Sequence, residues 1–174
     1  QLTSSLALGL RGLLARSVPC PGTTLSGLQD QFACNRDGAD GGFVTLRGDL
    51  RHSRAFAGGT LALRSAWQVA MQPLVSGEQF ALGGADTVRG YFESEASGDQ
   101  VLLGAVEWRS ANLARSLTGW WAAEAAANAG NAAERGSGGL TDLSLLAFAE
   151  LAQARTLDPL PNQAGKVSLA GSGV

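Results

Sequence analysis

Few side chains in this sequence have the type and spacing for chemistry of their own. His52 is the lone histidine, set among arginines on what reads as the polar edge of a strand, so a multi-histidine metal site is excluded. Glu93 with Glu95, and Asp99 with Glu107, have the types required of a general acid and base. Carboxylates beside a loop are more commonly solvated charges, however, and no G-x-S-x-G, Walker-type or G-x-G-x-x-G pattern accompanies them. Gly83, Gly84 and Gly90 lack the lysine that a phosphate loop needs. Nothing here supports an enzyme. Cys20 and Cys34 are flanked by Pro19, Pro21, Gly22 and Asn35, which is loop chemistry without a CxxC or zinc spacing. They are either two unrelated thiols or a disulfide stapling an exposed loop, and the disulfide would place this region outside the cytoplasm, on the cell surface.

The elements that must carry these residues are legible from period-two alternation. In Gln1 to Leu14 the even positions are Leu2, Ser4, Leu6, Leu8, Leu10, Gly12 and Leu14, while Thr3, Ser5, Ala7, Gly9, Arg11 and Leu13 lie between them. Residues 43–56 set Val44, Leu46 and Leu50 against Thr45, Arg47, Asp49 and Arg51, and residues 60–74 set Leu61, Leu63, Trp67, Val69 and Met71 against Ala62, Arg64, Gln68 and Gln72. Ala57-Gly58-Gly59 joins the two as a tight turn, giving a hairpin whose arms far exceed the roughly 5 to 6 residues of a globular strand. A further strand is expected from Val101 to about Leu113, another from Leu143 to Arg155, which also fits a helical stripe, and a last one from Val167 onward. Arg115 to Gly139 is Ala-rich and reads equally as a short amphipathic helix or a strand-like segment.

Composition narrows the class. Of 174 residues only 16% are charged, against roughly 25% in an ordinary soluble domain, and no apolar run approaches the roughly 18 residues of a membrane-crossing helix. Strands cross a membrane with about 9 to 11 alternating residues, so a barrel stays open. A net charge of −2 with Lys166 the sole lysine leaves no footprint for nucleic acid. Long two-faced strands with arginines on one face suit a large barrel, lipid outside and water within. By pattern alone a soluble β-sandwich binding module competes, with Trp67 and Trp108 as core residues rather than an aromatic belt.

One stretch is more specific. Leu74, Ser76, Glu78-Gln79-Phe80, Gly83-Gly84 and Val88-Arg89-Gly90-Tyr91, continuing through Gly98-Asp99 to Glu107-Trp108-Arg109, closely resembles transporters of two-partner secretion, the haemolysin-activator and filamentous-haemagglutinin type of outer-membrane protein. In that family a segment of the form L-x-S-x-E-Q-F-x-x-G-G-x-x-x-V-R-G-Y lies in an extracellular loop that folds back into the barrel lumen. A strand motif F-x-D-x-G supplies the acid that meets its arginine. The nearest equivalent here is Phe148-Ala149-Glu150-Leu151-Ala152, with Glu for Asp and Ala for Gly.

The resemblance implies an all-β, antiparallel transmembrane barrel, present as about six long strands with one inward-folding loop. Residues 1–174 would be part of a single outer-membrane domain, without amino-terminal periplasmic modules or final strands. It implies a bacterial outer-membrane location, translocation of a secreted partner polypeptide, lipid on the outer face and no cofactor. An outer-membrane assembly factor of the same superfamily is the related alternative. The glycines supply backbone freedom for a loop packed on a wall, and Arg89 requires an acid for its fork of donors. Glu150 is the expected partner, and Glu107 the second candidate. Arg11, Arg47, Asp49, Arg51, Arg64, Gln68, Gln72, Glu107 and Arg109 are expected to line a wet inner face.

Overall fold

The computed structural model describes residues 1–10, 17–20, 28–36, 38–114 and 142–174. In chain order these form β1 (Leu2–Leu8), β2 (Ser17–Pro19), β3 (Leu28–Asp30), a short helix α1 (Gln31–Asn35), β4 (Val44–Phe56), β5 (Gly59–Ala70), β6 (Phe80–Leu82), β7 (Ala96–Gly98), β8 (Gln100–Ser110), β9 (Leu146–Arg155) and β10 (Lys166–Gly173). Six of them make one open antiparallel sheet in the order β1-β4-β5-β8-β9-β10, and β2/β3 and β6/β7 are small ribbons within its connections. The architecture is therefore all-β. Arg11 and the Ala-rich stretch 115–139 lie outside the described residues.

The long hairpin forms with Ala57 and Gly58 at φ 48° and 70°, the mirror-image turn geometry that matches strand twist. Its second arm stops at Ala70, short of the expected Leu74. Pro73 has no N–H to give a ladder, and the Leu74 N–H is donated to Asp99 Oδ1 at 3.0 Å. Residues 146–155 are strand rather than helix because β8 pairs with all of them and β10 with 148–155 on the other side.

Large apolar side chains are found on both faces of the sheet, buried on one and exposed on the other. On the outer face Leu6, Leu46, Leu63, Leu102 and Leu151 are exposed, the last at 65%. On the other face Thr45, Ala66, Gln68, Leu103, Glu150 and Ala154 are buried. A contiguous apolar face of this extent marks a surface meant for something other than water. His52 departs from expectation. It pairs with Leu63 and shares the parity of Leu46 and Leu50, so it stands on the outer face, not the polar one. Trp67 and Trp108 also have outer-face parity, and the Trp108 indole N–H is donated to the Phe56 carbonyl at 3.0 Å near the turn end of the sheet.

Above the opposite end, Cys20 and Cys34 are joined in a disulfide with Cα atoms 5.2 Å apart, so α1 is tied back to the segment after β2. The bond should be recovered as one linked peptide pair by mass spectrometry without reduction, and recovery of two free thiols would contradict it. Replacing both cysteines by serine should lower stability by about 3 kcal/mol, the chain-entropy value for a loop of roughly 15 residues.

Candidate functional site

The connection from β5 to β8 does not project away from the sheet. After a 3-10 turn at Ser76–Glu78 it forms the β6/β7 ribbon and lies down on the buried face. Leu82 and Val88 are fully buried there against Ala66, Val101, Leu103, Ala152, Ala154 and Leu169, with Phe80, Tyr91 and Ala96 packed beside them. Full burial of each large apolar side chain contributes about 1.5–3 kcal/mol. The strip of alanines and leucines on the inner strands is thus the seat of the loop, where sequence alone suggested a uniformly wet wall. Ala152 lies within this strip.

Polar contacts fix the register of loop on wall. Arg47 donates from Nε to Gln68 Oε1 at 2.6 Å and from Nη2 to the Glu78 carbonyl at 2.7 Å. Gln68 in turn donates to the carbonyls of Glu78 and Asp99, both at 3.2 Å. Arg64 donates to the Asp86 carbonyl. Within the loop the Thr87 hydroxyl donates to the Gly83 carbonyl and accepts from the Gly83 N–H, both at 2.8 Å. Gly83, Gly84 and Gly90 hold φ of 106°, 94° and 95°, where a side chain would be strained, so the backbone can double back over Arg89.

Arg89 occupies the centre of this arrangement. Its backbone N–H is donated to Glu150 Oε2 and its Nε to Glu150 Oε1, each at 2.7 Å. Nη2 is 2.7 Å from Glu150 Oε1, and Nη1 is 3.1 Å from Glu107 Oε2. The guanidinium carbon lies 3.6 Å from the ring centroid of Phe148, a cation–π contact strengthened by partial exclusion of water. Glu107 and Glu150 therefore hold the arginine together, on adjacent strands whose register sets Ala105 opposite Glu150. Arg109, the competitor for Glu107, is held more loosely at 3.9 Å. Tyr91 turns its hydroxyl to the backbone of Ala170, donating to the carbonyl at 3.3 Å.

Two features had no signal in the alternation. Gly171 faces Glu150 across the β9/β10 ladder, and a Cβ there would stand 2.5 Å from the Arg89 carbonyl oxygen. The wall is hollowed to receive the loop tip. Asp99, posed above as one of an acid pair with Glu107, is instead fully buried and engaged by Arg36. Glu93 and Glu95 accept from the N–H groups of Ala85 and Phe92, so these carboxylates act as loop supports.

Burial acts to raise the Asp99 carboxyl, but the Arg36 guanidinium and the N–H groups of Leu157 and Leu74 outweigh it and hold its pKa below the ordinary 3.8. A pKa depressed on folding contributes stability that is full above the unfolded value and is lost as the pH falls through the folded one. Amide protection at Leu74 and Leu157, corrected for intrinsic exchange, should therefore be level from about pH 7 to about pH 5 and decline only in stronger acid.

Comparison with known proteins adds one finding. The haemolysin secretion/activation protein family ShlB/FhaC/HecB matches residues 14–109, more than half of the chain. The matched range includes the whole loop with Arg89 and also Glu107, and it stops before Phe148 and Glu150. No curated protein and no solved structure matches the chain.

Proposed function

Because the chain belongs to the ShlB/FhaC/HecB family of haemolysin secretion/activation proteins, we propose that it is part of an antiparallel outer-membrane β-barrel of a bacterium and exports a secreted partner polypeptide. On this reading residues 1–174 belong to one barrel domain. The leucine face meets lipid, the face bearing Arg47, Arg51, Arg64 and Glu107 meets water, and the end carrying the disulfide is the cell surface.

The observation that carries the reading is the Arg89 clamp, in which a loop from the end of the sheet is folded onto the inner face and its arginine is held by two wall carboxylates. The cavity of about 610 Å³ beside it, lined by Arg51, Arg64, Thr87, Arg89 and Glu107 among others, is polar enough to stay wet while an extended chain passes. The work is transport: a client that folds outside supplies direction, and the wall needs only to be non-adhesive. Trp108 and Phe56 at the turn end and Trp67 about 20 Å further along β5 suit two interfacial girdles.

The test combines location with function. In the full-length protein, Leu63→Arg should cost roughly 2–4 kcal/mol in a lipid-vesicle folding assay if it sits near the midplane, and Ala62→Arg, on the opposite face, much less. Equal costs would remove the lipid-facing assignment. Co-production with the polypeptide encoded beside it should release that polypeptide to the medium only when the barrel is present. Release without the barrel would reject the transport role, and solubility without detergent would favour a β-sandwich.

A further inference from the structure

The loop that carries Arg89 is held at its tip by Glu150 and Glu107, but its root is held by a separate structure. Asp99, the loop residue just before β8, accepts from Nη1 and Nη2 of Arg36, with the Nη2 to Oδ2 distance 2.7 Å. The same carboxylate accepts from the N–H groups of Leu74 at 3.0 Å and Leu157 at 2.7 Å, and from the Gln79 amide at 3.2 Å. Arg36 donates onward to the carbonyls of Leu74 and Leu157, both at 2.6 Å. A single buried ion pair thus ties together three connections: 9–43 through Arg36, 71–99 through both of its ends, and 156–165 through Leu157.

Arg36 is itself held from the other side. It follows α1 directly, with its N–H donated to the Phe32 carbonyl at 3.1 Å. That helix carries Cys34 of the disulfide and is started by Asp30, whose side chain accepts from the Phe32 N–H at 2.8 Å. The path from the disulfide to the root of the arginine loop is therefore short: Cys20 to Cys34, Asn35 at the end of the helix, Arg36, Asp99. A surface arginine needs none of this; a guanidinium that spends four donors on one carboxylate and two carbonyls is a fixed strut.

We propose that Arg36 and Asp99 are positioning residues for transport, a clasp through which the disulfide-bonded outer connection holds the root of the inward loop and so keeps Arg89 in reach of Glu150. The proposal rests on the transport reading for its consequence, but the clasp itself is a statement about loop position. It predicts that the loop has two locks, one at the tip and one at the root, and that the disulfide acts through the second.

Full-length protein in outer-membrane vesicles, carrying Ala96→Cys on β7, the strand of the loop next to its root and partly buried against the sheet, gives the measurement. The rate of reaction with a membrane-impermeant maleimide reads how often the loop root lifts, and heat-modifiable migration shows that each variant has folded. Arg36→Gln should raise the labelling rate about tenfold, the scale of one lost charge-assisted hydrogen bond. Asp99→Asn should do the same, and Arg36→Lys, which keeps the charge but not the fork, should fall between. Replacing both Cys20 and Cys34 by serine should raise labelling as well and add nothing further to Arg36→Gln. Unchanged labelling in folded Arg36→Lys and Asp99→Asn overturns the clasp, and additivity of the serine pair with Arg36→Gln overturns its link to the disulfide. Faster labelling with normal secretion leaves the clasp standing and rejects the transport role of the loop. Secretion lost in Arg89→Ala with labelling unmoved by Arg36→Gln has the opposite meaning.

Discussion

Arg89→Ala should reduce secretion of the partner by about two orders of magnitude while the protein still folds into the membrane. The Glu150 side chain is only 5% exposed and accepts three contacts from Arg89, one of them from the backbone. Removing the guanidinium leaves a buried carboxylate with one backbone donor, and breaking a pair of this kind costs about 3–5 kcal/mol. The lower end applies here because the Arg89 side chain is 29% exposed. A loss of about 3 kcal/mol is about a hundredfold in the ratio of docked to undocked loop. The sheet should not share that loss, since its ladders pair the strands β1, β4, β5, β8, β9 and β10 with one another and include no residue of the loop tip.

The same geometry orders the partners. Glu150 receives the backbone N–H, Nε and Nη2, whereas Glu107 receives Nη1 alone and also faces Arg109. Glu150→Ala should therefore couple strongly to Arg89→Ala in a double-mutant cycle on secretion, and Glu107→Ala weakly. Phe148→Leu, which keeps the bulk and removes the π face, should have a smaller effect of about 1 kcal/mol. Simple additivity of Arg89→Ala with Glu150→Ala, or normal secretion by Arg89→Ala, would reject the inward-loop mechanism.

How much of this could be read from the sequence depends on whether a feature is periodic. The hairpin of β4 and β5 was legible because side chains alternate strictly, and one buried face imposes register through every position. Glu150 was expected near Arg89 from the resemblance of residues 148–152 to a family strand motif, and parity agrees, since Glu150 and Glu107 both fall on the face opposite Leu151 and Val106. His52 was misplaced because chemical type was given more weight than parity, which groups it with Leu50. Arg36 and Asp99 left no periodic trace. They lie in connections whose meeting depends on where three strands end, and nothing in the spacing of Arg36 and Asp99 along the chain points to it. The seating strip was hidden for another reason: Ala66, Ala152 and Ala154 are small enough to suit either a wet wall or a packed one, and only the loop decides between them.

Gly171 supplies the second large expected effect, and it separates loop docking from charge. Gly171 stands on the inner face of β10, opposite Glu150, with the Arg89 carbonyl oxygen 2.5 Å from where a Cβ would be and a Val88 methyl at 3.4 Å. The first of these contacts is to backbone, so the side chain of a neighbour cannot swing aside to relieve it; the loop itself must withdraw. A withdrawal of about 1 Å stretches the Arg89 N–H and Nε bonds to Glu150 from 2.7 Å to beyond the useful range. Gly171→Val should consequently secrete as poorly as Arg89→Ala even though every charge of the clamp is retained. The strand should not suffer, because Gly171 has no left-handed φ and a β-branched residue is a better strand former than glycine. Gly171→Ala should lie between, and Gly171→Val should add little to Arg89→Ala, in which the loop is already released. Folding yield into lipid vesicles, measured beside secretion, tells the cases apart: normal folding with lost secretion supports docking of the tip in the hollow, and normal folding with normal secretion means that the contact between Gly171 and the Arg89 backbone has no part in transport.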